Sequence, residues 1–176
     1  MRLSELFEDA WAVMPLASDD LAGALEELLE RAADVGALDG AQATKMARDL
    51  AFGAQGEVVR LNDQVVAVLG SLEGLDGLSW TVGVAPKAVR VTAEGLPEPG
   101  PATVVILALV PGRLTGLRQD LLPILGRALR EPGATAQLLA ARVPGDVLAV
   151  PGLADAEFQP GLRVEDALVP VRYRVY

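Results

Sequence analysis

Residues 102–110 read Ala-Thr-Val-Val-Ile-Leu-Ala-Leu-Val, with a proline on either side at Pro101 and Pro111. The run is rich in β-branched residues and apolar at both parities. A strand that is apolar on both faces is covered on both faces, so Ala102–Val110 reads as the centre of a sheet with helices above and below. Nine residues are also far fewer than the roughly 20 that cross a bilayer as a helix, so no membrane insertion is expected from this segment.

Working outward, QVVAVLG (Gln64–Gly70) and LSWTVGV (Leu78–Val84) read as further strands bounded by Gly, Asp and Asn. TAEGLPEPGP (92–101) is a turn-rich loop, and Val89–Thr92 reads as a short edge strand before it. Upstream the period changes to that of helices. Ser18 is placed as an N-cap, with Asp19 and Asp20 in the first turn, for a helix whose stripe is Leu21, Leu25, Leu28, Leu29 and Ala32 and whose stop is Gly36. A second helix opens at Asp39, with Gln42 completing a capping box and Ala43, Met46, Ala47, Leu50 and Ala54 along one side. Downstream, Leu117, Leu121, Ile124, Leu125, Ala128 and Leu129 recur at helical spacing. An N-cap at Asp120 would place Pro123 in the first turn, where its missing N–H does little harm. Two short helices over 133–142 and 144–150 complete this part.

The chain has 176 residues, 15 Lys+Arg against 24 Asp+Glu, and a formal charge of −9, with no His and no Cys. No basic tract offsets that charge, which argues against a phosphate-tracking surface and hence against nucleic acid as a partner. Without Cys there is no disulfide, thiolate metal site or thiol nucleophile. Without His there is no Ser-His or Cys-His pair, no imidazole ligand and no phosphohistidine. The opening MRLSELFEDAW carries Glu5, Glu8 and Asp9 where a secretory signal would need its apolar core, so a cytoplasmic protein is expected.

Little else carries chemistry. Glu26, Glu27 and Glu30 lie on the outer side of the first helix, Glu73 and Asp76 follow the Gln64–Gly70 strand, and Glu98 stands in the proline-rich loop. They form no identifiable acid/base pair and read as solvated surface. Gly70, Gly74 and Gly77 do not fit a nucleotide-binding glycine pattern, and Ser71 has no base at a recognisable spacing. Trp80 reads as core or interface. No catalytic residue, metal site or cofactor is expected.

Three segments carry a resemblance: MRLSELFEDAWAVMPL (1–16), LNDQVVAVLGSLEGLD (61–76) and LLPILGRALREPGATAQLLAA (121–141). In order and apolar pattern, roughly residues 1–150 resemble the EIIA domain of the bacterial phosphotransferase system, of the mannitol/fructose and nitrogen-regulatory kind known as type 2. The resemblance implies an α/β fold, a three-layer α/β/α sandwich with a small mixed sheet. In that family a strand ends in Gly-hydrophobic-Ala-hydrophobic-Pro-His, whose imidazole takes phosphate from a carrier protein and passes it on. The matching residues here are Gln64, Val65, Val66, Ala67, Val68 and Leu69, so the proline position holds Val68 and the histidine position Leu69. The family's second active-site histidine falls on Arg118.

Neither Leu69 nor a permanently protonated Arg118 can act as the nitrogen nucleophile that phosphohistidine formation needs. The resemblance therefore implies a catalytically dead domain, a non-enzymatic regulatory or protein-interaction module whose partner is another protein or a downstream domain of the same polypeptide. The alternative is an anion or phosphorylated-metabolite sensor, with Asn62, Leu69, Ser71 and Arg118 around the former phosphate pocket and the guanidinium holding the anion. Against that stands a simpler arrangement, in which Arg118 is merely exposed and Leu69 fills the pocket.

The end of the chain differs in character. LRVEDALVPVRYRVY (162–176) finishes in an alternating strand pattern whose partner strand is expected outside this chain. Val164, Asp166, Ala167, Leu168, Pro170 and Val171 are similar to the lead-in of a CBS domain. The expected organisation is an EIIA-like domain over 1–152, then a linker and the start of a following CBS-like domain over 153–176.

Overall fold

The computed structural model describes residues 11–34, 56–72, 79–91, 100–111 and 116–150, together with Ala41, Lys45 and Leu153. In chain order the elements are β1 (Trp11–Pro15), α1 (Leu21–Asp34), β2 (Gly56–Arg60), β3 (Val65–Leu72), β4 (Ser79–Val91), β5 (Gly100–Pro111), α2 (Gly116–Ala128), α3 (Ala134–Ala140) and α4 (Pro144–Leu148). Of the second expected helix, Ala41 and Lys45 are helical and the rest lies outside the described residues.

The five strands form one mixed sheet in the order β1-β4-β5-β3-β2. β1 is parallel to β4 and β3 to β5, whereas β4 with β5 and β2 with β3 are antiparallel. β5 is the central strand, as its two-faced apolar sequence requires. From Val104 onward its alternate residues feed two separate cores, and Ala102, beyond the β4 bulge, joins the second. Val104, Ile106, Ala108 and Val110 pack with Val65, Ala67, Leu69, Trp80 and Val82 beneath Leu121, Leu125, Leu138 and Val147 of the C-terminal helices and Val150 just after them. Ala102, Val105, Leu107 and Leu109 pack with Val66 and Val68 beneath Leu21, Leu25, Leu28, Leu29 and Ala32 of α1. The molecule is thus the expected three-layer sandwich.

Four local readings are corrected. The cap of α1 is Asp20, not Ser18, because Asp20 Oδ1 accepts the Gly23 N–H at 2.8 Å and its carbonyl accepts the Ala24 N–H at 3.0 Å. Ser18 instead sits over the first turn, with its Oγ 2.7 Å from where a Cβ on Gly23 would be. Val89–Val91 is no separate edge strand: it is the far half of β4, rejoining β5 at Val89↔Ala102 after a bulge that begins at Val84, and on its other side Arg90 forms a bridge with Asp20, its N–H donating to the Asp19 carbonyl at 2.8 Å. Helix α2 starts at Gly116, so Pro123 lies in its interior and leaves the carbonyl four residues back without its helical donor. Pro123 is exposed, so water can serve that carbonyl. Finally, GEVVR (56–60) forms the edge strand β2, which sequence reasoning had not assigned.

Among the described residues no helix is long and apolar enough to cross a membrane. Leu153 is 2% exposed and belongs to the first core. The rest of 154–176 lies outside the described residues.

Candidate functional site

Strand direction decides which predicted site residues can meet. The C-terminal ends of β3 and β5 and the N-terminal end of β4 share one edge of the sheet, since Leu72 pairs with Pro111 and Ser79 with Leu109. α2 begins five residues after Pro111, so its N-terminus belongs to the same end. Leu69, Ser71 and the first turn of α2, where Arg118 stands, are therefore brought to one end of the molecule. The side chain of Arg118 lies outside the described part.

Asn62 is not part of this group. It precedes β3, and the eight residues of β3 alone span roughly 26 Å at about 3.3 Å per residue. Its amide is committed to a structural corner at the opposite end. Oδ1 accepts the backbone N–H groups of Gln64 at 2.8 Å and Val65 at 2.9 Å, and Nδ2 donates to Thr135 Oγ1 on α3 at 2.9 Å. Arg60 completes that corner by donating to the carbonyls of Gly100 (2.9 Å), Pro101 (3.2 Å) and Asp63 (3.3 Å), which ties β2 to the start of β5 across β3. A guanidinium saturating carbonyls holds structure; it was not singled out in the sequence, where nothing distinguishes it from a surface arginine. The placing of Asn62 in a phosphate pocket is thus corrected.

Leu69 stands next to the central strand in a row running through all five strands: Trp11, Trp80, Ala108, Leu69 and Glu57. It has no exposed surface, and its side chain joins Trp80 and Ala108 in the core beneath α2–α4. The strand does not stop there either, because Gly70, Ser71 and Leu72 continue the pairing with Leu109, Val110 and Pro111. Position 69 is packed interior. A side chain there has neither water nor room for a reacting partner.

Ser71, two residues on and hence on the same face, is half-buried. Its Oγ is shielded from solvent and has no hydrogen-bond partner among the described residues. Thr81 Oγ1, on the α1 side of β4, is likewise buried without a partner. Among the described residues no three His, Cys, Asp or Glu side chains could hold a metal ion. Glu26 and Glu30 are exposed, and Glu27 spends its carboxylate on the N–H groups of Ala17 (3.1 Å to each oxygen) and Ser18 (3.4 Å). Glu73, Asp76 and Glu98 lie outside the described residues. Asp146 is held below the ordinary carboxyl range because its Oδ2 accepts the N–H groups of Arg142 (2.8 Å) and Val143 (3.2 Å) at the start of α4.

Solved structures share this arrangement. The nitrogen regulatory protein IIA-Ntr from Neisseria meningitidis superposes with a TM-score of 0.64 at 16% identity, over 84% of this chain and 97% of its own. The sandwich has the EIIA type-2 fold. A putative IIA protein, PtxA, from Streptococcus mutans matches at a TM-score of 0.60 and 12% identity, over 87% of this chain and 99% of its own. The mannitol-specific cryptic phosphotransferase enzyme IIA CmtB from Escherichia coli gives 0.54 and 14%, over 85% and 97%. No family model matches the chain, and no curated protein matches it significantly in sequence. The likeness to EIIA proteins is therefore one of fold, with the EIIA type-2 architecture carried by a largely different sequence.

Proposed function

We propose that this EIIA-like domain is a non-enzymatic regulatory or protein-interaction module, unable to carry phosphohistidine, which acts on a protein partner or on a downstream domain of the same polypeptide. The observation that carries the reading is Leu69: the residue that the resemblance aligns with the phosphorylated histidine is an aliphatic side chain sealed in the core, in a chain without any histidine. Phosphoryl transfer of the EIIA kind needs an exposed imidazole nitrogen, and an alkyl group has no lone pair to offer. What an EIIA fold keeps without that chemistry is its surface.

A second reading, an anion or phosphorylated-metabolite sensor, is favoured by Ser71. Its shielded hydroxyl lacks a partner and stands at the sheet end where α2 begins, and Arg118 is in the first turn of that helix. A thermal-shift screen with inorganic phosphate, sugar phosphates and adenine nucleotides separates the two. The interaction module shows no shift with any of them. The sensor shows a shift that Arg118→Ala weakens about tenfold or more, since a charge-assisted contact is worth about 1.5–3 kcal/mol.

A further inference from the structure

The two long helices depart from helix propensity for different reasons. In α1 the departure is Gly23, and packing sets it: a Cβ there would stand 2.7 Å from Ser18 Oγ. In α2 it is Pro123, the eighth of 13 residues, and its ring is exposed. Packing does not ask for it. A local rule broken without a gain in packing marks a functional or strained position. The proline also acts on a defined joint. With each N–H bonded to the carbonyl four residues back, four bonds tie the helix up to 122 to the helix from 123 onward, donated by residues 123, 124, 125 and 126. Pro123 has no N–H, so the first is missing, and a proline ring crowds the carbonyl four residues back, here that of Gln119. Three bonds remain across the joint, at a residue type where helices bend.

The part of α2 after the joint is fixed. Ile124, Leu125, Ala128 and Leu129 lie in the core. The N–H groups of Leu129, Arg130 and Glu131 close the helix end on the carbonyls of Leu125, Arg127 and Ala128 at 3.0, 3.2 and 3.3 Å. Thr135, on the next helix, is held by Asn62 at 2.9 Å. The part before the joint runs toward the end of the sheet where β3 finishes. Ser71 stands there on the α2 side, since it shares parity with Leu69 and pairs in register with Val110 of the same core. Its hydroxyl is shielded from solvent.

We propose that α2 is a two-part helix hinged at Pro123. Its leading part, residues 116–122, opens away from the sheet as a unit within the folded protein, while residues 124–128 stay seated, and the opening gives solvent and ligands access to the end of β3 at Ser71. The joint is where the helix has lost a bond, and the seat behind it is pinned by core packing, by its closing turn and through α3. The inference rests on neither functional reading above. It gives the end of the molecule where Ser71 meets the start of α2 a closed and an open state.

Amide exchange of the full chain, followed by NMR, tests it. The amides of Leu121, Leu122, Ile124 and Leu125 lose their acceptors or their helix on opening, whereas those of Ala128 and Leu129 do not. The first four should exchange at least about 100-fold faster than the last two, and with a shallower dependence on urea, as local openings do. Pro123→Ala restores the missing donor and should slow the first four by about tenfold or more. Gly126→Ala lies behind the joint, in helix that stays formed, and should change their rates by less than about threefold. The chain has no cysteine, so Ser71→Cys carries a single thiol, and its labelling by a thiol reagent should slow by the same factor when Pro123→Ala is added. Equal protection along the whole of α2, or equal slowing by Pro123→Ala and Gly126→Ala, would show a helix that opens as one piece and would overturn the proposal. Labelling of Ser71→Cys that ignores Pro123→Ala would overturn the access it assigns to the hinge.

Discussion

Replacing Leu69 by histidine would put an imidazole at the position that the resemblance aligns with the EIIA histidine, and the packing around Leu69 sets the expected outcome. Leu69 is wholly buried beside Trp80 and Ala108. Removing it forfeits about 1.5–3 kcal/mol of apolar burial. The incoming ring brings a polar N–H into a site lined by carbon, at a further cost of about 1–3 kcal/mol if it finds no acceptor. Leu69→His should therefore lower stability by about 3–5 kcal/mol, read from urea unfolding at pH 8 with an unchanged denaturant slope. The pH dependence has a definite sign. Burial pushes the folded-state imidazole pKa below the unfolded value of about 6.5, so at low pH the unfolded chain binds the extra proton. The variant's deficit should widen as pH falls below about 6.5 and be smallest above it. A variant as stable as the wild type, or one whose imidazole titrates near its ordinary value in the folded protein, would refute the burial argument.

Other substitutions test the packing. Gly126, inside α2, has no heavy atom within 4 Å of a built Cβ, so Gly126→Ala should gain about 1 kcal/mol from helix propensity. Gly23→Ala in α1 should lose stability despite the same propensity, because its Cβ would meet Ser18 Oγ at 2.7 Å and Cβ at 2.9 Å; thermal melts of the two variants should shift in opposite directions. Thr81→Val removes a buried hydroxyl without a partner at nearly constant shape and should raise stability by about 1 kcal/mol in chemical denaturation. The Asp146 carboxylate, with its depressed folded-state pKa, stabilises α4 above the ordinary carboxyl range near 4 and ceases to as pH falls through the folded value. Melting temperatures of wild type and Asp146→Asn should accordingly converge as the pH drops below about 4.

The parts of this fold that were legible in the sequence are those where burial alone sets the pattern. Ala102–Val110 is apolar at both parities because helices cover both faces, and every residue of the stripe Leu21, Leu25, Leu28, Leu29, Ala32 is on the buried side of α1, which Ala24 completes. The errors arose where hydrogen bonds or topology compete with pattern. Ser18, Asp19 and Asp20 are all competent caps, and the choice of Asp20 depends on where β1 releases the chain. Val89–Val91 looked like a separate strand because the exposed Pro86, Lys87 and Ala88 bulge out of β4 and interrupt its alternation. β2 was overlooked because five residues with a charge near each end give little alternation to read. The candidate site was half legible. Leu69 and Ser71 follow from strand parity, whereas Asn62 is near them in sequence but separated by the length of β3, a fact fixed by strand direction that no local pattern contains.

The central claim is that this EIIA fold moves no phosphate, and labelling tests it most directly. The purified chain is incubated with labelled phosphoenolpyruvate and the general phosphotransferase proteins, and its intact mass and bound label are measured. The account predicts an unmodified chain, because the sequence contains no histidine and Leu69 is inaccessible. Acid-labile, base-stable phosphate on the chain would contradict it.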